Sequence, residues 1–147
     1  MTDSTIPLAD RIDALKDEFA DLDPRERLEF LVDCSHEMPP LPSGYAPGPQ
    51  SESCRVQECM TPVYLWIDVA ADRVQLRAHV AENAPTVKGF VALLVNLFTG
   101  ATPAEVLSAP GGLLDELGLY EALGMQRQAG MQGVWNRIRR EVATQSG

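Results

Sequence analysis

No basic segment followed by an apolar one opens this chain of 147 residues, and its longest uninterrupted apolar run, FVALLV at 90–95, is short. A membrane span needs roughly 20 such residues. Neither a secretory leader nor a spanning helix is expected, and the reading is a soluble, unprocessed, cytoplasmic protein with no membrane partner. Cysteine is scarce and odd in number, only Cys34, Cys54 and Cys59. With no secretory signal, a disulfide framework is not expected and at least one thiol should be free in a reducing compartment. No C-x-x-C pair is present, which argues against a free-standing redox enzyme. Positive charge is in deficit: 12 lysines and arginines face 21 acids, a formal net charge of −9. That balance opposes nucleic-acid binding and favours a protein partner with a basic surface or a small molecule. Repeats and low-complexity tracts are missing. No serine or cysteine motif is tied in sequence to His36 or His79, so both are read as surface histidines without chemistry.

The length suits one ordinary domain, residues 1–147, able to bury a core without structural metal or disulfide. In LADRIDALKDEFADL, Leu8, Ile12, Leu15 and Phe19 recur at the spacing of an amphipathic helix. DPRE then starts a second helix, with Asp23 as N-cap, Pro24 at the first position and Glu26 at the third. Its faces carry Leu28, Leu31, Val32 and Ser35, with Phe30 and Cys34 beside them. Five prolines in MPPLPSGYAPGPQ, residues 38–50, rule out helix and inner strand there, and predict a long crossing within the domain.

VYLWIDV and VQLRAHV alternate apolar and polar residues, and AADR between them predicts an antiparallel hairpin with one buried face. SCRV, just upstream, is read as a third, shorter strand, which would put Cys59 in a tight loop, ECMT, before the long strand. PTVKGFVALLVNLFTG is apolar nearly all round and predicts a buried helix stopped by Gly100. TPAE opens another helix, with Thr102 capping and Glu105 reaching back. A helical turn around LLDELGL follows, and the last helix carries Met131, Val134, Trp135, Ile138 and Val142 on one stripe. The sum is an α+β fold with helices packed on a small antiparallel sheet of about three strands.

Cys34, His36, Cys54 and Cys59 together would offer four zinc ligands, but the spacing is not that of a usual finger, and Cys34 and His36 diverge on an ideal helix. Cys34 reads as a small apolar residue of a helix face. A Cys54–Cys59 bridge is disfavoured by an extended segment between them, although a transient one under oxidation stays open. Arg137, Arg139 and Arg140 read as a solvated face near a negative helix end. Cys59 stands apart because loops on a rigid scaffold are where reactive groups are displayed. A buried, inert thiol is the alternative.

Around this cysteine, VQECMTPVY resembles the V-x-G-C-x-S/T-x-V-W segment of the SufE family of sulfur acceptors in iron–sulfur cluster assembly. VKGFVALLVNLFTGATPAEVL resembles its V-K-G helix followed by T-P-x-x, and RQAGM at 127–131 its R-x-x-G helix start. LEFLVDCSHEMPPLP resembles its helix ending in a leucine-proline turn. The resemblance runs over most of the chain, in the family's order, and implies a SufE/NifU-like fold.

It further implies that Cys59 accepts sulfur from the persulfide of a SufS-like, pyridoxal-phosphate-dependent cysteine desulfurase. The protein would then stimulate that enzyme's turnover and relay sulfur to an iron–sulfur cluster scaffold. It implies no cofactor or metal of the chain's own, and no role for Cys34 or Cys54. A non-catalytic adaptor that regulates a desulfurase, with Cys59 structural, is the competing reading. Glu58 departs from the family, where many members carry glycine. Its charge is expected to raise the thiol pKa, with Arg55 or Arg127 as the offsetting cation. The Cys59 loop is expected to rest against apolar surface until a partner docks.

Overall fold

A computed structural model describes residues 6–146. The chain begins with α1, Leu8–Ala20, which buries Leu8, Ile12 and Phe19, while Leu15 packs on the core's margin. Next comes α2, Pro24–Cys34, whose capping box forms as the sequence predicts. The Glu26 amide donates to Asp23 Oδ1 at 2.8 Å, and the Asp23 amide donates to Glu26 Oε1 at 3.0 Å. These bonds satisfy helix-end donors that the helix itself leaves free.

The proline-rich segment is an ordered crossing. Tyr45 meets Trp66 edge-on at 5.7 Å, and the Arg77 guanidinium lies 4.9 Å from the centre of the Tyr45 ring. The segment therefore covers part of the outer face of the sheet.

That sheet has two strands, β1, Val63–Ala70, and β2, Arg73–Val80, paired antiparallel with Val63 opposite Val80. Ala71 and Asp72 both take positive φ, 53° and 61°, the handedness that a two-residue turn needs to match strand twist. Val63, Leu65, Ile67, Val74, Leu76, Ala78 and Val80 form the buried face. The third strand expected at SCRV is not formed among the described residues. Residues Pro49–Cys54 make a 3₁₀ helix, and only Arg55 bridges to Tyr64. The reason lies in who takes the backbone carbonyls: the Arg137 guanidinium donates to Ser53 O and, at 3.3 Å, to Arg55 O. Pro49 in the first turn also presets helical φ.

Two helices cover the buried face. α3, Pro85–Phe98, packs on β2, and the chain that leaves it is tied back by Gly100 N–H donating to Val74 O at 2.8 Å. Gly100 takes φ +89°, a conformation open to glycine, as the predicted helix stop requires. Gly89 is where α3 crosses α2, since a methyl built on it would overlap the Leu31 carbonyl. Then come α4, Pro103–Ser108, with the Thr102/Glu105 capping box, and the short α5, Leu113–Glu116, and α6, Leu119–Ala122. Finally α7, Met125–Ser146, packs on β1 and buries Met131, Val134, Trp135, Ile138 and Val142 as one stripe. The Trp135 ring stacks on Phe98 at 4.7 Å, joining α7 to α3.

Candidate functional site

The chain turns sharply after the Arg55 bridge. The Val56 amide donates to Val63 O at 2.9 Å, and the Cys59 amide reaches back to Val56 O at 3.4 Å. This closes a tight loop whose base is pinned to β1 and whose tip carries Glu58, Cys59 and Met60. Cys59 is therefore in a loop directly before the long strand, where the sequence puts it.

The tip is pressed against α7. Cys59 is 7% exposed, whereas Met60 beside it is 78% exposed. The close approach depends on glycine at two positions of α7. A methyl on Gly130 would lie 3.3 Å from Cys59 Sγ, and one on Gly133 would lie 2.6 Å from Glu58 Cβ. Real side chains do not come as close as the second distance, so the loop fits only because that side chain is absent.

A cavity of about 410 Å³ opens over the thiol, with Thr61, Thr86, Arg127 and Met131 among its walls. Its far side is the start of α3, where no side chain caps the first-turn amides. Burial pushes the Cys59 thiol above its ordinary value, while the Thr61 amide and the Arg55 guanidinium pull the other way. The expected rise is present, but burial supplies it rather than the charge of Glu58. Arg55 is the offsetting cation. Arg127 is exposed and lines the same cavity.

The remaining candidates lie elsewhere. Cys34 is buried in α2, and burial followed by the charges of Glu37, Asp33 and Glu18 pushes its thiol up to about 11. Cys54 is half-buried in a separate cleft with Tyr45, Trp66 and Arg137. His36 is exposed, and His79 lies on the outer sheet face beside Tyr64. All three thiols are free, and among the described residues no group of three or more His, Cys, Asp or Glu is placed to hold a metal ion.

Of the arginines near the C-terminus, Arg140 is exposed as expected, but Arg137 and Arg139 are not a solvated face. Arg137 grips the backbone ahead of the Cys59 loop, and Arg139 lies over the Trp135 ring at 5.7 Å. Sequence reasoning thus missed Arg137, Gly130 and Gly133. The available signal was the pair of glycines three apart on a predicted helix, a spacing that leaves a notch on one face. Among the described residues, no helix is long and apolar enough to cross a membrane.

Comparisons with known proteins show the family. The model of the SufE family, described as an Fe-S metabolism associated domain, matches residues 13–142. An uncharacterised SufE-like protein of Mycobacterium tuberculosis is 31% identical over 126 residues, covering 85% of this chain and 86% of that protein. A chloroplastic quinolinate synthase of Nicotiana tabacum is 29% identical over 131 residues, 87% of this chain but only 17% of that longer protein. The solution structure of a hypothetical protein from Thermus thermophilus superimposes with a TM-score of 0.77 at 30% identity, covering 92% of this chain and 95% of that one.

Proposed function

The chain belongs to the SufE family, which implies a role in iron–sulfur metabolism, and from that premise we propose that Cys59 is a sulfur acceptor served by a cysteine desulfurase. One SufE-like domain carries the activity, and the sulfur passes on to a cluster-assembly scaffold. The observation that carries the reading is the seat of Cys59: a thiol 7% exposed, beneath a cavity of about 410 Å³. A persulfide needs such a place, because its outer sulfur must be kept from oxidants and stray thiols until delivery.

The chemistry is a thiol exchange at sulfur. The Cys59 thiol loses its proton, and the thiolate attacks the outer sulfur of the donor's cysteine persulfide. A new sulfur–sulfur bond forms at Cys59 while the donor's own breaks, and the donor cysteine leaves as a thiolate that takes up a proton. Oxidised and reduced sulfur are conserved across the pair, so no outside oxidant or reductant is required. The Thr61 amide and Arg55 favour the attacking thiolate, and burial opposes it. Lifting the loop out of its seat on docking would change the burial that raises the thiol.

An adaptor that regulates the desulfurase without taking sulfur is the second reading, favoured by the same burial of Cys59. Desulfurase turnover with and without the protein separates them. Cys59→Ala abolishes stimulation if the thiol carries sulfur, and leaves it intact if the protein is an adaptor.

A further inference from the structure

One face of α7 follows the chain leading to the thiol. Residues 130, 133 and 137 recur at the three-to-four spacing that aligns side chains along a helix. Arg137 donates to the carbonyls of Ser53 and Arg55, Gly133 faces Glu58, and Gly130 faces Cys59. The base of the loop is thus fixed to α7 by hydrogen bonds, while its tip meets α7 through close packing at the two glycines.

The shape fit is tightest at Gly133. A methyl there would stand 2.6 Å from Glu58 Cβ and 3.1 Å from both Cγ and Cδ. The end of a glutamate could swing aside, but Cβ is fixed to the backbone, so relief requires the backbone at 58 to move. Cys59 is the next residue and moves with it. At Gly130 the corresponding distances, 3.3 Å to the Cα and Sγ of Cys59, allow a smaller adjustment.

We propose that the notch at Gly133 is the positioning element that lets the Glu58–Cys59 tip lie against α7 and so seats Cys59 in its cavity, so that a sulfur donor must lift that tip off α7 to reach the thiol. The meaning of this seat for sulfur transfer rests on Cys59 being the acceptor. The seat itself is a property of the free protein and is measurable without any desulfurase.

The test is the alkylation rate of each cysteine, resolved by peptide mass spectrometry, in the wild type, Gly133→Ala and the double variant Glu58→Gly/Gly133→Ala. Cys34 in α2 is the internal control, since global unfolding would expose it as well. Gly133→Ala should raise the Cys59 rate about tenfold or more through local opening and leave Cys34 unchanged. Removing the struck atoms in the double variant should bring Cys59 back toward the wild-type rate. A wild-type rate in Gly133→Ala, a double variant as fast as the single, or an equal rise at Cys34 would each overturn the proposal. Alanine is the better helix former, so loss of helix is not the expected cause of any increase.

Discussion

Gly130 faces Cys59 across the surface of α7, and a methyl built on the glycine would lie 3.3 Å from the cysteine's Sγ and Cα alike. The thiol's shelter is therefore made by an absent side chain as much as by those present. Gly130→Leu, a good helix former of large volume, is predicted to fill that space and push Cys59 outward. Cys59 alkylation should accelerate, with an overpacking cost of about 1–3 kcal/mol in denaturant unfolding. An unchanged alkylation rate would show that the thiol is sheltered by something else.

Arg55 and Cys59 are linked by charge as well as by sequence. The guanidinium lowers a thiol pKa that burial raises, so Arg55→Ala should raise it further. Measured as the pH dependence of Cys59 alkylation, the midpoint should move to higher pH in the variant. A midpoint moved to lower pH would refute the assignment of Arg55 as the offsetting cation.

Cys34 gives a stability prediction with a definite sign. Its folded thiol is pushed from 9.0 to about 11, so between those values the unfolded chain loses the proton while the folded one keeps it. The folded state then binds more protons, and stability must fall as pH rises through that window. Two pKa units correspond to on the order of 2–3 kcal/mol for a buried group. Denaturant unfolding at pH 9 and pH 11 should show this loss, and Cys34→Ala should show a shallower one. Equal slopes for both proteins would mean that Cys34 does not ionise on unfolding.

Gly89→Ala tests the crossing of α2 and α3. Helix propensity alone would make alanine stabilising by about 1 kcal/mol. The overlap with the Leu31 carbonyl predicts the opposite sign, a destabilisation of about 3 kcal/mol, because backbone cannot rotate away as a side chain can. Thermal or denaturant unfolding reads the sign directly, and a stabilised variant would contradict the described approach of the two helices.

Features written within a few residues were legible in the sequence. Both capping boxes, Asp23 with Glu26 and Thr102 with Glu105, follow from side chains that reach only their own helix start. The hairpin and the buried stripe of α7 follow from periodicity. Features set by distant residues were not legible. SCRV has strand-like composition, but two of its carbonyls, of Ser53 and Arg55, are taken by Arg137 from the far end of the chain, and a 3₁₀ helix and one bridge stand where a strand was expected. Cys59 could be placed in a loop from local signals alone. Its burial depends on Gly130 and Gly133, whose partner in space no local pattern names. Glu58 was expected to act through charge, yet its contact with α7 is one of shape.

The destination of the sulfur tests the role of Cys59 most directly. The protein is incubated with a cysteine desulfurase and cysteine, and intact and peptide mass spectra are taken for the wild type, Cys59→Ala and Cys54→Ala. Added sulfur is predicted on Cys59 in the wild type and in Cys54→Ala, and none in Cys59→Ala. Desulfurase binding without any added sulfur, or sulfur on Cys54 in place of Cys59, would contradict Cys59 as the acceptor.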